Sequence, residues 1–262
     1  MGNLDSAAAL FRESLELARS MGNSQQEATL LNNLALVEMD RGALDAAQTL
    51  LEESLALKQR LGVRSETSIV LGNLALIAWL RRDLGQATEL LEEGLEIERE
   101  TGNPVGIADA LGNLAQVLVE AGDLPRALSL HRESLILRRD IGDWLSIPYS
   151  LESIGAAAVG AGIVAPAVRL LAASDALRQA TGAPVPPTDR HGYEAVIAQA
   201  KDQVGENRIA AMWRDGQLLG REAAVEAALA LCDAIDAGHG SESESPVTPV
   251  IEMASRTSGP SP

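Results

Sequence analysis

Residues 82–122 read RDLGQATELLEEGLEIERETGNPVGIADALGNLAQVLVEAG, and this stretch decides the fold. Leu84, Ala87, Leu90, Leu91, Gly94, Leu95 and Ile97 follow an i, i+3, i+4, i+7 pattern, the mark of an amphipathic helix. Gly102 interrupts the pattern, and a second helical run ends at Gly122. The same arrangement recurs in both directions at a period of 40 residues, without a gap. One column holds Gly2, Gly42, Arg82, Gly122 and Gly162, and another holds Gly22, Gly62, Gly102, Gly142 and Gly182. Between them run Ala7, Ala47, Ala87, Ala127 and Ala167, then Leu10, Leu50, Leu90, Leu130 and Leu170, and later Leu34, Leu74, Leu114 and Ile154. Glycine supplies the left-handed residue that a helix C-cap wants. Asn23, Asn103 and Asp143 follow it as caps of the next helix. The unit is a helical hairpin repeated about four and a half times, and stacking such hairpins predicts an all-α, right-handed α-solenoid.

Composition narrows the function. The chain has 262 residues, enough for a sizeable core, with 21 Lys+Arg against 37 Asp+Glu and a formal charge of −16. That balance argues against direct nucleic-acid contact, which needs clustered basic residues. The single cysteine, Cys232, excludes a disulfide framework, and no Cys/His pair has zinc-ligand spacing. Asp5, Arg12 and Glu13 interrupt the first apolar stretch, so it does not read as a signal peptide. The longest uncharged run, Ser153 to Val168, contains Pro166 and is too short to span a bilayer. A cytoplasmic helical protein that touches no membrane is expected.

The repeat array covers residues 2–182, and its first hairpin lacks a first helix. Residues 183–187, Ala-Pro-Val-Pro-Pro, form a stiff connector. Residues 188–236 form a small C-terminal helical module: a helix capped by Thr188 or Asp189 and ending near Val204, a short one through Trp213, a turn from Gly216 to Gly220, and a last helix from Arg221 to Ala234. The Ser-, Pro- and Gly-rich stretch 237–262 reads as a disordered tail. The chain enters at a second-helix motif, and Leu4, Ala7, Leu10, Phe11 and Leu15 offer no polar cap. Either the chain begins inside a longer array, or something covers this end, or the first helix itself serves as a cap. The uncapped helix also offers a route to self-association.

The motifs Leu71-Gly72-Asn73-Leu74-Ala75 and Leu111-Gly112-Asn113-Leu114-Ala115, with Gly42-Ala43-Leu44-Asp45-Ala46-Ala47 and Gly122-Asp123-Leu124-Pro125-Arg126-Ala127, resemble the tetratricopeptide repeat. That family's usual unit is 34 residues, so each helix here is longer by nearly one turn. Leu and Ala replace most of the family's aromatics, which weakens the case for an aromatic ligand clamp. The C-terminal stretch from Leu170 to Arg178, then Gly182 to Pro187, Tyr193-Glu194, Ala211-Met212-Trp213, Gly216-Gln217 and Glu222 to Leu229, resembles the end of large bacterial regulators. These are signal-transduction ATPases of the STAND class, often with LuxR-type or SARP-type DNA-binding domains. Similar tails also follow cyclase and kinase domains. The resemblance implies a sensor or interaction arm. No P-loop, basic helix-turn-helix, cyclase or kinase motif is present, so no such activity is assigned to these residues.

Catalytic candidates are weak throughout. Gly160-Ala161-Gly162-Ile163-Val164-Ala165 matches a dinucleotide fingerprint but lies between helices, with no preceding strand. His131, expected on a helix surface, His191 and His239 are scattered, and Cys232 reads as a small core residue. Glu52-Glu53, Glu92-Glu93 and Glu133 follow the repeat, as a solvated outer face would. The chain is therefore expected to be no enzyme and to need no metal or cofactor. The remaining signal is a polar column, Asn33, Asn73 and Asn113 with Ser153 in the fourth hairpin. The first helix of each hairpin lines the concave groove in the family, and an amide there can donate to and accept from a peptide backbone. Thr29, Asp109, Gln116 and Tyr149 stand beside it. The competing reading spends each Asn on a buried bond between adjacent hairpins. Trp79, Trp144 and Trp213 read as packing residues. The function expected is a protein- or peptide-binding scaffold. The alternatives are the C-terminal piece of a larger enzyme and a module that holds a small inducer.

Overall fold

The glycine columns become helix ends in the computed structural model, which describes residues 2–185 and 187–242. The helices are α1 (Gly2–Ser20), α2 (Ser24–Asp40), α3 (Leu44–Leu61), α4 (Arg64–Leu80), α5 (Leu84–Thr101), α6 (Pro104–Ala121), α7 (Leu124–Ile141), α8 (Ile147–Gly160), α9 (Val164–Thr181), α10 (Pro187–Val204), α11 (Glu206–Gln217) and α12 (Arg221–Glu242). Each of the pairs α2/α3, α4/α5, α6/α7 and α8/α9 packs as a hairpin and stacks on the next, while α1 packs on α2. The chain is thus an all-α helical-repeat solenoid.

Local chemistry sets each boundary. Gly62, Gly102, Gly142 and Gly182 take left-handed φ values and close the second helices. Their neighbours complete the motif: the Val63 N–H donates to the Lys58 carbonyl (3.1 Å) and the Asp143 N–H to that of Arg138 (2.8 Å). Arg82 takes the same conformation at φ 65°, the one non-glycine to do so among the described residues. Asn23, Asp83 and Asp123 cap the helices that follow by accepting from the backbone N–H three residues on.

Small residues let each hairpin close. Ala47, Ala87, Ala127 and Ala167 have no exposed surface, and leucines such as Leu51, Leu111 and Leu151 fill the space between units. Ser54, Ser134 and Ser174 donate their hydroxyls across the hairpin to the carbonyls of Ala28 (2.7 Å), Ala108 (2.7 Å) and Pro148 (3.1 Å). Outside, the repeated carboxylates link consecutive second helices, as in Arg19–Glu53 (3.0 Å) and Arg99–Glu133 (2.9 Å). The exposed stacking side of α1 carries Leu10, 65% exposed, whereas the equivalent Leu170 is buried.

At the other end, α11 lies on α9, and α12 crosses α7, α8 and α9. Four expectations need revision here. α10 already begins at Pro187, inside the expected connector and ahead of Thr188 and Asp189. The short helix runs past Trp213 to Gln217, so Gly216 is helical rather than part of a turn. A Cβ at Gly216 would collide with the Arg169 carbonyl, so its glycine serves the close approach of α11 to α9. The last helix continues past Ala234 to Glu242, and the expected tail beyond 242 lies outside the described residues. Trp144 sits under the Arg221 guanidinium, 4.3 Å from its ring centre, and joins the terminal core with Trp213 and Cys232.

Candidate functional site: a groove between α4 and α6

The first helices α4 and α6 run side by side with α5 behind them, and between them lies a groove of about 390 Å³. From α4 come Ile69, Gly72, Asn73, Leu76 and Trp79; from α6 come Gly106, Asp109, Asn113 and Gln116. The second helix α5 contributes Leu91, Gly94 and Glu98, and Tyr149 of α8 stands at the far edge. The lining is mostly apolar. Ile69, 58% exposed, and Leu76 present aliphatic surface to solvent. The Trp79 indole N–H is buried in the groove's wall and donates to no partner among the described residues.

Five of the eight residues marked in sequence meet in this groove: Asn73, Asn113, Asp109, Gln116 and Tyr149. Asn33, Thr29 and Ser153 do not line it; the Thr29 hydroxyl bonds the Gln25 carbonyl of its own helix (3.1 Å), and Ser153 is buried. The Asn column divides by position. Asn73 donates its amide to the Asn32 side chain of the preceding hairpin (2.9 Å), a bond between stacked units. The Asn113 side chain makes no hydrogen bond among the described residues, and the residue is exposed.

Electrostatics distinguish the hairpins. At one position of successive second helices stand Lys58, Glu98, Arg138 and Arg178. The guanidinium of Arg138 lies 2.8 Å from Asp109 and 3.2 Å from Asp143. Arg178 grips both oxygens of Glu152, and Lys58 pairs with Glu66. Glu98 alone carries the opposite sign. The surface position expected for His131 is not found: it is 1% exposed, standing where Leu51, Leu91 and Leu171 fill the core of other hairpins. Burial, aided by the nearby Arg138 charge, lowers its pKa to about 4.

The sequence reading missed the groove's apolar lining and its acid. Periodicity marks Leu76 and Ile69 only as helix-face residues. The usable signal was departure from the repeat: Gly94 replaces a serine and Glu98 replaces a cation. Among the described residues, no cluster of His, Cys, Asp and Glu is placed to hold a metal, and no helix is long and apolar enough to cross a membrane.

Comparison with known proteins agrees with the architecture. Residues 26–100 and 66–140 each match the tetratricopeptide repeat model, so 26–140 form a tetratricopeptide-repeat region. The structure is similar to BtubC (BKLC) from P. vanneervenii, with 16% identity over 97% of this chain and 99% of that one and a TM-score of 0.62. It is also similar to a point variant of a Podosopora anserina putative kinesin light chain with nearly identical TPR-like repeats: 19% identity, 70% and 90% coverage, TM-score 0.58. MamA is similar at 18% identity, 69% and 92% coverage and a TM-score of 0.50. At these identities the likeness shows the fold alone. No curated protein matches the chain. Tetratricopeptide repeats are generally protein-interaction scaffolds, and proteins built on them are typically non-catalytic.

Proposed function

We propose that this chain is a non-catalytic scaffold that holds an extended peptide segment of a protein partner along α4, α6 and α8. The observation that carries this reading is the groove of about 390 Å³, in which polar side chains from successive first helices stand over an apolar lining. The polar groups suit a peptide backbone: Asn113 has both a donor and an acceptor to offer, and Gln116 stands one turn along α6. Apolar side chains of the partner then supply burial energy against Ile69 and Leu76.

In the cell this scaffold serves as the sensor or interaction arm of a bacterial signalling or transcriptional regulator, a reading supported by the resemblance of its C-terminal stretch. The activity then belongs to domains outside these residues, and the mass of the native gene product tests that part. A product several times larger than 27.5 kDa supports it, and a product of this size overturns it.

The groove itself is tested by selecting peptides from a random library on the full chain. Binding that weakens in Asn113→Ala and Gln116→Ala supports the reading; selected peptides indifferent to both overturn it. A small inducer is the second reading, favoured by a volume within the range of small-ligand pockets. A thermal-shift screen of metabolites separates the two, since a bound ligand raises stability by mass action.

A further inference from the structure

The hairpin behind the groove departs from the repeat at positions that converge. Lys58, Arg138 and Arg178 each pair with an acid on a neighbouring first helix. Glu98, their equivalent, accepts from the Ser68 hydroxyl and from the Asn103 amide (2.9 Å), and no cation pairs with it among the described residues. Asn103 is diverted to it: unlike Asn23, it makes no side-chain capping bond to its helix. One unit earlier, the partner of Lys58 is Glu66; the matching position here is Gly106, and a Cβ there would collide with the Glu98 carboxylate. Gly94, where other hairpins carry serine, lines the groove beside it.

A carboxylate therefore sits in the groove wall, in space that a side chain fills elsewhere. It is only 5% exposed, and neutral donors hold it in place without balancing its charge. Among the described residues the groove is lined by two carboxylates, Glu98 and Asp109, and by no Lys, Arg or His. Arg138 already occupies Asp109. Resting on the peptide-groove reading, we infer that the partner segment enters through one Lys or Arg side chain, whose cation pairs with Glu98. The methylene stem of that side chain lies along Ile69 and Leu76, and its charged head replaces the counter-ion that the repeat supplies in other hairpins.

The probe is the set of peptides selected on the full chain, each resynthesised with its basic residues changed singly to Gln. These are titrated by tryptophan fluorescence against the natural chain, Glu98→Gln and Glu93→Gln. The control removes the same charge from an exposed position of the same helix. The expected result is one shared Lys or Arg whose replacement weakens binding about tenfold or more, with little further loss in Glu98→Gln. Glu93→Gln should bind as the natural chain does. Should Glu98→Gln melt early, the peptide series on the natural chain decides alone. Peptides that depend on Asn113 but need no basic residue overturn the inference and leave the groove reading standing. Equal losses in Glu98→Gln and Glu93→Gln also overturn it, since they show only diffuse attraction to a chain of charge −16. If no selected peptide depends on Asn113, the groove reading falls and this inference with it.

Discussion

The hairpins α4/α5 and α6/α7 are built to one plan, and three of the equivalent positions at which they differ bear on the groove. In α6/α7, Ser134 bonds the carbonyl of Ala108, Arg138 braces both Asp109 and the Ser134 hydroxyl, and His131 fills a core position. In α4/α5 the same positions hold Gly94, Glu98 and Leu91, and there the lining of the groove lies. In α6/α7 the Ser134 and Arg138 side chains hold the hairpin itself together. The other leaves a carbonyl, a carboxylate and a buried indole N–H near a space that a partner can fill. A repeat array keeps its fold by copying contacts, and here the groove lies where the copying lapses.

The largest expected effect breaks the comparison at His131. Its imidazole stays neutral in the fold down to about pH 4, whereas in the unfolded chain it takes a proton near pH 6.5. Between those values the unfolded state binds more protons, so stability falls as the pH drops through this window and is unaffected above it. The loss from this group approaches about 3 kcal/mol below pH 4. Urea unfolding of His131→Leu, which copies Leu91, should lack that part of the pH dependence; an unchanged profile would refute the assignment.

Next in size is Arg138→Met. It removes a buried cation from Asp109 and Asp143, and because Asp109 is more than half exposed, a loss of about 2 kcal/mol is expected rather than the larger figure for a fully buried pair. Glu98→Gln, which breaks no ion pair, should lose less than about 1 kcal/mol in the same denaturation series. Equal losses would erase the distinction between the two hairpins.

Exchanging the small residues sharpens the contrast. Ser134→Ala should cost about 1 kcal/mol through its lost bond to Ala108. In Gly94→Ser, the added Cβ sits 3.7 Å from the Ser68 carbonyl, in ordinary contact, and the hydroxyl can donate to it as its counterparts do. A gain of about 0.5 kcal/mol in the thermal melt, with weaker peptide binding, is the expected result. The smallest effect is at the turn before α5. Arg82→Gly relieves a left-handed arginine but gives up an exposed pair with Glu120, leaving a net gain below about 0.5 kcal/mol.

Much of this molecule was legible in its sequence. A 40-residue spacing of Gly, Ala and Leu determined helical hairpins, their ends and their stacking order, because caps and amphipathic faces depend on residues within a turn or two of each other. A separate polar column marked Asn73 and Asn113, with Asp109, Gln116 and Tyr149 beside it, and the groove brings these five together. What periodicity could not decide was how each column is used. Asn73 is spent on the neighbouring hairpin and Asn113 is not, although both stand in the same motif. His131 lies in the core rather than on the surface, in the column that Leu51, Leu91 and Leu171 fill in other hairpins, so its burial follows the repeat although its polar identity hides it. Glu98 is a groove acid only because Gly106, Ser68 and Asn103, from other parts of the chain, converge on it. The sequence by itself determined the hairpins, because their signals are local; tertiary structure alone decided which side chains those hairpins leave unpaired, because that depends on contacts between helices.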